Sequence, residues 1–350
     1  MTRVLPSLRG RSRIVVFGTI LTVLAIAATF LLDPYRNFQF ATIAAYFSVT
    51  AGLTLLVGQS GQLSLGHAAL MAAGGYGYAL TANALAEGGV DGVVRFLLAF
   101  LAAVVVAGLL GLLLGLAAAR LHGPYLAGVT LALVVSVPAV AATFKVLGGD
   151  QGLPTAYQGV PDGLRSLIAA EQWHAWVAIL VAGVLVTWLT LLRNGAFGLR
   201  MRAVRDDETA ARLNGVAAGR IKVSAFTVSA VAAGAGGAVL CFITQSVSPG
   251  AYTLPFSLLL VVAVVLGGLG SIGGAALGSV LVVMLPWLIT TATSQLPLSA
   301  DMTQRLTGNL PVLVFGALLT VTILARPGGI VDLFPKLTGR ADRQAPTSTT

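Results

Sequence analysis

A cluster of glycines and small polar residues separates two apolar stretches early in the chain. It reads GQSGQLSLGH from Gly58 to His67. Glycine weakens a helix by about 1 kcal/mol per residue relative to alanine, so this density favours non-helical backbone. At membrane depth such backbone survives only where protein buries it or where it lines a cavity, and it can then bind a zwitterionic solute. A tight turn between two helices is the alternative. The candidate pathway residues are Gln59, Gly61, Gln62, Ser64, Gly66 and His67.

A second glycine-rich segment reads LGGLGSIGGAAL from Leu266 to Leu277. Its SIGGAAL echoes the SLGHAAL that begins at Ser64, which suggests an internal repeat. Glycine-interrupted apolar segments in corresponding halves of a chain point to the pathway of a transporter. The two segments do not occupy equivalent positions of a five-plus-five repeat of apolar spans, so the repeat stays a hypothesis. The candidate pathway residues here are Gly267, Gly268, Gly270 and Ser271.

Charged residues dominate a third segment, from Arg200 to Val216. Asp206 is predicted to cap a short helix whose first turn holds two more acids and which Asn214-Gly215 ends. Its acid-first, base-last order suits the helix dipole, so a solvated loop helix explains the pattern. The sharper hypothesis is a helix that docks on a cytoplasmic ATPase. The contact residues would be Arg202, Arg205, Asp207 and Glu208.

The sequence gives little support for a catalytic or metal-binding site. The three histidines lie near the ends of apolar stretches without a second ligand at metal spacing, and the one cysteine, Cys241, lies inside such a stretch. The chain also lacks the Gly-x-x-x-x-Gly-Lys-Ser/Thr loop that holds the phosphates of ATP. We therefore predict no catalytic residue, no metal and no cofactor; ATP and Mg would bind to partner subunits. No carboxylate lies within the apolar stretches, which argues against a proton-coupled carrier.

The composition indicates that most of this chain is embedded in lipid. Of 350 residues, 57 % are hydrophobic and 9 % charged, against roughly 25 % charged in an ordinary soluble domain. No Asp, Glu, Lys or Arg occurs between Val223 and Ala300. The net charge of +9 does not indicate nucleic acid, because the bases lie between apolar spans rather than on one soluble face.

Uncharged stretches of about 17–25 residues are long enough to cross a bilayer as helices. They predict an all-α polytopic bundle of about ten spans, in which the eighth and ninth could form one broken unit. The predicted spans are Ile14–Leu32, Gln39–Val57, His67–Ala86, Phe96–Ala119, Pro124–Phe144, His174–Leu192, Val223–Gln245, Leu254–Gly270, Gly274–Ala292 and Asn309–Ala325.

The distribution of basic residues predicts the orientation, because Lys and Arg accumulate in short cytoplasmic loops. With both termini inside, all but five of the 21 basic residues lie on the cytoplasmic side. The exceptions are Arg36, Arg95, Lys145, Arg165 and Arg305. We predict a basic cytoplasmic N-terminus (1–13), one membrane domain (14–326) with an extracytoplasmic loop (145–172) and a cytoplasmic coupling loop (193–222), and a largely disordered cytoplasmic tail (327–350).

Four segments in order along the chain resemble the bacterial permeases of branched-chain amino acid ABC transporters, in particular their LivM-type subunit. The segment 61–69 is similar to the Gly-Gln-x-Ser-Leu-Gly-His motif of that family, and 147–153 to its Gly-Gly-Asp/Ser-Asn-Gly-Leu stretch. The segment 198–216 resembles its charged cytoplasmic loop, although it reads Arg-Asp-Asp-Glu where Arg-Glu-Asn-Glu is common. The last match joins 266–274 to Arg326-Pro327-Gly328-Gly329.

The resemblance implies a subunit of an importer in the bacterial cytoplasmic (inner) membrane. A second homologous permease, two cytoplasmic ATP-binding subunits, an extracytoplasmic substrate-binding protein and a small amino acid would be its partners, besides membrane lipid. Ala211 and Gly215 would join the ATPase-facing residues named above. The binding protein would meet the segment 145–162, through Gly149, Asp150 and Gly152.

Two other classes stay open at this point. An ATP-independent secondary carrier or facilitator of small polar solutes would work as a single chain. A membrane scaffold would leave the glycine-rich segments unexplained. Related permeases import urea or amides, so the resemblance does not fix the substrate.

Overall fold

The structure is a computed structural model that describes residues 8–121, 123–161, 163–295, 300–325 and 329. Within them, the chain folds into twelve α-helices, four one-turn 3₁₀ helices and one pair of short strands. The α-helices are α1 (Leu8–Ala28), α2 (Pro34–Ser60), α3 (His67–Glu87), α4 (Gly92–Arg120), α5 (Pro124–Thr143), α6 (Ala170–Asn194), α7 (Ala196–Asp206), α8 (Glu208–Leu213), α9 (Ala218–Thr244), α10 (Leu254–Gly267), α11 (Ile272–Ser294) and α12 (Ala300–Ala325). The short elements are the 3₁₀ turns Thr29–Leu31, Lys145–Leu147, Gly149–Gln151 and Pro249–Ala251, and the strands β1 (Leu153–Pro154) and β2 (Ser246–Val247).

Each of the ten predicted spans coincides with one helix, which confirms an all-α membrane fold. Nine helices of the described part are long and apolar enough to cross a bilayer. The exception among the ten is α3, whose glycines, tyrosines and histidine lower its hydropathy. Because most of α3 is buried by neighbouring helices, its surface does not have to match lipid.

The core forms where α2, α3, α4 and α9 pack together. Small residues allow their backbones to approach closely, as is usual between helices in a membrane. A Cβ added to Gly74 of α3 would overlap the backbone of Gly234 on α9, and one added to Gly111 of α4 would overlap Ala230. Lipid-facing positions are filled by large exposed apolar residues, most densely on α1 and α4.

Contacts distant in sequence identify the two ends of the bundle. At one end, Arg205 of α7 donates a hydrogen bond to the carbonyl oxygen of Gly58 on α2 (2.6 Å). At the other, Gln158 donates to the carbonyl oxygen of Gly92, where α4 begins (2.6 Å), and its own carbonyl contacts His174, where α6 begins (3.1 Å). We call these the α7 end and the Gln158 end. The predicted loops 145–172 and 193–222 lie at opposite ends, and which end faces the cytoplasm remains a prediction.

The eighth and ninth predicted spans are two helices that form a tight hairpin. Gly267 of α10 packs on Gly274 of α11, and Ala263 on Gly278, so the helices run antiparallel. The turn between them carries Gly268 and Gly270, both with positive φ (112° and 78°). Positive φ strongly favours glycine, so this turn accounts for part of the glycine content of the segment.

The predicted tail, 327–350, lies outside the described residues except for Gly329. That residue has a φ of 83°, and a Cβ there would overlap Gly268. Gly329 therefore lies at the hairpin turn of the α7 end.

Candidate functional site

The backbone from Gly61 to Gly66 is non-helical and runs inward from the α7 end. Gln62 donates to the carbonyl oxygen of Lys222 (3.5 Å), whereas His67 contacts Ser229 (2.7 Å), and both partners belong to α9. Ser229 lies seven residues beyond Lys222 on α9, which is about 10 Å of helix rise, and about 9 Å beyond Val223, where the uncharged stretch of that helix begins. The segment thus reaches about a third of the way through a hydrocarbon core of roughly 30 Å. This depth favours the interrupted-helix interpretation over the tight turn.

Buried side chains hold the deep end of this segment. His67 lies between the hydroxyl of Ser64 (2.9 Å) and that of Ser229 (2.7 Å), and all three are completely buried. The amide of Leu65 donates to the hydroxyl of Thr130 on α5 (3.0 Å), and its carbonyl accepts from the hydroxyl of Ser257 on α10. These bonds satisfy backbone groups that neither helix nor lipid could satisfy. Ser64 and His67 therefore brace the segment, and neither faces an open space.

The remaining pathway candidates of this segment differ in exposure. Gly61 is exposed and ends α2 with a φ of 68°. Gln62 is 5 % exposed, and its Nε2 donates to Ser60 (2.7 Å) while its Oε1 has no partner among the described residues. Gly66 is buried, and a Cβ there would crowd Thr130. Gln62 thus offers an unsatisfied acceptor beside the non-helical backbone.

The last turn of α2 contacts α7 and the hairpin turn at once. Gln59 accepts a hydrogen bond from Arg202 (3.0 Å) and donates a long one to the carbonyl oxygen of Gly270 (3.4 Å). The amide of Gly270 donates to Thr54 (3.0 Å), and a Cβ on Gly58 would overlap the Gly270 backbone. The structure thereby brings the two predicted glycine-rich segments into direct contact.

The other residues predicted in the second segment have structural tasks in the hairpin. Gly267 and Gly274 touch through their backbones, and the hydroxyl of Ser271 caps α11 by accepting from the amide of Gly274 (3.2 Å). Gly268 lies at the turn. The similar strings SLGHAAL and SIGGAAL each lie at the start of a helix. However, α3 begins at the fourth residue of its string, His67, whereas α11 begins at the second residue of its string, Ile272.

The charged loop differs from the predicted single helix. It forms α7 and α8, separated at Asp207. The prediction that Asp206 caps the helix is wrong: Asp206 is the last residue of α7, and the Asp207 carboxylate accepts from the amides of Thr209 (2.9 Å) and Ala210 (3.0 Å). The predicted stop is confirmed, because α8 ends at Leu213 and Gly215 has a φ of 78°.

Three of the predicted ATPase contacts turn towards their own chain. Arg202 and Arg205 bond to the end of α2, as described above. The carboxylate of Glu208 contacts Arg212 (2.5 Å) and Lys222 of α9 (2.6 Å). Ala211 lies on the buried face of α8. The exposed surface of the loop includes three of the predicted contacts, Arg205, Asp207 and Gly215. It also includes residues that were not predicted as contacts, namely Leu199, Arg200, Asp206, Arg212 and Leu213.

Electrostatics hold α8 on α9. The pKa of the Glu208 carboxyl is lowered mainly by the hydrogen bond from the Lys222 ammonium. The charge of Arg212 lowers this pKa further, whereas partial burial acts in the opposite direction. Lys222 is only 8 % exposed. Glu208 therefore compensates a largely buried cation and stays ionised at neutral pH.

At the Gln158 end, the segment with the predicted binding-protein contacts forms a strap over the bundle. β1 pairs antiparallel with β2, Leu153 opposite Val247. Gly149 (φ 59°) and Gly152 (φ 80°) allow the backbone to turn. Asp150 is exposed, whereas Gly152 is buried against Val247 and its neighbour.

A buried polar network fastens this strap. Tyr78 donates to Gln158 (2.8 Å), and Arg95, 4 % exposed, donates to the carbonyl of Tyr157 (2.6 Å) and pairs with Asp91 (2.8 Å). Sequence reasoning missed these residues, as it missed Thr130, Ser229 and Ser257. For Tyr78, Arg95, Thr130, Ser229 and Ser257 a signal was present, namely a polar side chain inside or at the edge of an apolar stretch, whereas Gln158 lies in a loop and gave no such signal.

Two surface cavities lie away from these contacts. One, of about 490 Å³, is lined by the lipid-facing side of α1 around Arg13. The other, of about 280 Å³, lies between Arg11 and the junction of α6 and α7. Neither is lined by a predicted pathway residue, and groups of three or more metal-ligating side chains are absent from the described part of the chain.

Comparisons with known proteins identify the family. Residues 37–323 match the family described as branched-chain amino acid transport system / permease component. The chain is 28 % identical to the high-affinity branched-chain amino acid transport system permease protein LivM of Escherichia coli, over 94 % of this chain and 78 % of that protein. It is 24 % identical to a probable LivM of Methanocaldococcus jannaschii, over 73 % of this chain and 74 % of the relative. A match of 30 % identity to the autoinducer 2 import system permease protein LsrC of Klebsiella pneumoniae covers 39 % of this chain and 42 % of that protein.

No solved structure matches the chain. The family match covers every helix from α3 to α11, the strap, and the contacts described at both ends of the bundle except that of Gly329. The family predicted from the sequence is thereby confirmed, and the chain belongs to the family of branched-chain amino acid transport system permease components.

Proposed function

We propose that this permease is a membrane subunit of an ATP-driven importer of branched-chain or similar small amino acids. The proposal places it in the bacterial cytoplasmic membrane with the α7 end and both termini inside. The names of its LivM relatives support the substrate class. The excess of Lys and Arg at the α7 end supports the orientation.

The observation that carries the ATP-driven mechanism is the connection of α7 to the pathway candidates. Arg205 bonds to Gly58 and Arg202 bonds to Gln59, so the charged loop is attached to the turn where the non-helical segment begins. A loop that only joined two spans would not need two partly buried hydrogen bonds to that turn. Because the chain has no phosphate-binding loop of its own, two cytoplasmic ATP-binding subunits would dock on the outward surface of α7 and α8.

The other partners follow from the two ends of the bundle. A second homologous permease would complete the pathway beside the exposed part of the non-helical segment, where Leu63 is 45 % exposed. An extracytoplasmic binding protein would deliver the amino acid to the strap that carries Asp150. The absence of carboxylates from the interior of the described spans supports energy input from ATP rather than from protons.

Uptake of radiolabelled leucine into proteoliposomes tests the proposal. The vesicles would contain this chain alone, or the chain with its candidate partner subunits, binding protein and internal ATP. The matched control is the same assembly with the phosphate-binding lysine of the ATPase replaced. We expect uptake only in the complete assembly with an active ATPase. Uptake by this chain alone without ATP would refute the importer and indicate a secondary carrier.

The substrate class is tested in the same vesicles by competition. An excess of unlabelled leucine, isoleucine or valine should suppress uptake, whereas urea and acetamide should not. Suppression by urea alone would assign the chain to amide transport instead.

A further inference from the structure

Gln59 joins two elements through the two ends of one side-chain amide. Its Oε1 accepts from Nη1 of Arg202 on α7 (3.0 Å), and its Nε2 donates to the carbonyl oxygen of Gly270 in the hairpin turn (3.4 Å). The residue is 6 % exposed. Separating Gln59 from either partner would leave a buried polar group without its hydrogen bond, which costs free energy. We therefore expect Arg202, Gln59 and Gly270 to move together.

A second link lies one residue earlier on α2. The last four carbonyl groups of a helix have no partner within it, and a cation near that end is favoured by the helix dipole. Nη1 of Arg205 donates to one of these groups, the carbonyl of Gly58 (2.6 Å), while the stem of Arg205 lies against Gly61. On its other side, Gly58 touches the backbone of Gly270. The last turn of α2 is therefore clamped between α7 and the hairpin turn.

We infer that this clamped turn transmits movement of α7 to both glycine-rich segments, and that Gln59 is the positioning residue that connects α7 to the hairpin turn. The inference rests on the proposed function, in which a partner ATPase displaces α7. Arg205 carries the same displacement to Gly61, where the inward-running segment begins. Packed interfaces have discrete alternative arrangements rather than continuous ones, so a small shift of α7 can switch both segments together.

The test separates transport from ATP hydrolysis. The number of leucine molecules imported per ATP hydrolysed is measured for the complete assembly carrying Gln59→Leu. Leucine has a similar size but is apolar and makes no side-chain hydrogen bonds. The matched control is Gln39→Leu, the same change on the same helix at the other end of the bundle, where Gln39 is also buried. We expect the ratio to fall about tenfold for Gln59→Leu, with ATP hydrolysis and melting temperature close to those of the control.

Two results would overturn the inference and can be told apart. An unchanged ratio in Gln59→Leu, with a wild-type assembly that imports leucine, overturns the inference alone. A wild-type assembly that hydrolyses ATP without importing leucine overturns the proposed function and this inference with it.

A second variant keeps the test valid if Gln59→Leu fails to assemble. Gln59→Glu retains an oxygen that accepts from Arg202 and removes the donor to Gly270. Hydrogen exchange is followed at the amides of 61–66 and 268–271 on addition of a non-hydrolysable ATP analogue. We expect both segments to change their exchange in the wild type, and Gln59→Glu to lose the change at 268–271 only. Equal nucleotide responses in the two proteins would overturn the inference, since a merely structural role leaves the nucleotide response in place.

Discussion

The ion pair between Glu208 and Lys222 should decide how firmly α8 is held on α9. Gln at position 208 keeps the size of the side chain but removes the charge that faces the Lys222 ammonium (2.6 Å). Lys222 is 8 % exposed, so its charge would remain largely buried without a carboxylate. Because Glu208 is itself partly solvated, we expect a cost of about 1–3 kcal/mol, below that of breaking a fully buried pair. This corresponds to local opening of α8 that is about 5- to 150-fold more frequent.

Hydrogen exchange of the isolated permease in lipid nanodiscs measures this opening directly. The amides of 210–216 should exchange faster in Glu208→Gln by the factor given above. The matched control is Arg212→Gln, which removes the other cation from the same carboxylate. The Arg212 side chain is 59 % exposed, so its loss should cost less than about 1 kcal/mol. If hydrogen exchange became faster by the same factor in the two variants, the burial of Lys222 could not be what sets the free-energy cost of losing the ion pair.

The same pair has a pH dependence of known sign. The pKa of Glu208 is lower in the folded protein than in an unfolded chain, so the pair contributes its full stabilisation above the unfolded value of about 4.3. That contribution is lost as the pH falls through the lowered value. After correction for intrinsic exchange rates, protection of α8 should decline in acid in the wild type, and Glu208→Gln should lack this decline.

Two further predictions concern the core. Gly237→Ala should lower the melting temperature in nanodiscs, at a cost of about 1–3 kcal/mol, because its Cβ would overlap the carbonyl oxygen of Met71 on α3. Gly128→Ala, where a Cβ meets nothing within 4 Å, is the control and should be neutral or slightly stabilising; equal melting temperatures would contradict the close contact of α3 and α9. Cys241 is completely buried, so a maleimide reagent should label the native protein far more slowly than the denatured one. Rapid labelling of the native protein would show that the interior around α9 is open.

Hydropathy was enough to locate the helices, since crossing a bilayer demands an uncharged run of fixed minimum length. It was less successful with their ends. α9 was predicted from Val223 and begins at Ala218, and α12 was predicted from Asn309 and begins at Ala300. The missing turns contain polar or charged residues, which a hydropathy criterion rejects although the helix continues past the hydrocarbon.

The depth of the segment from Gly61 to Gly66 could not be derived from its own composition. Glycine content predicts that a helix ends, but the direction of the chain afterwards depends on partners more than 60 residues away, such as Thr130 and Ser229. Similarly, two adjacent aspartates are equivalent as caps in sequence. Asp207 rather than Asp206 became the cap because the chain leaves helical geometry there, with φ −155° and ψ 107°.

The strap at the Gln158 end constrains the order in which the protein can be made. Leu153 pairs with Val247, so β1 has no partner until the ribosome has synthesised α9 and the membrane has accepted it. Other bonds of the strap lead to residues that are synthesised before it, such as Asn83 and Arg95, so β2 is the partner that arrives last. The strap can therefore be completed only after α6 and α9 have been inserted, so the Gln158 end of the bundle closes late in biogenesis.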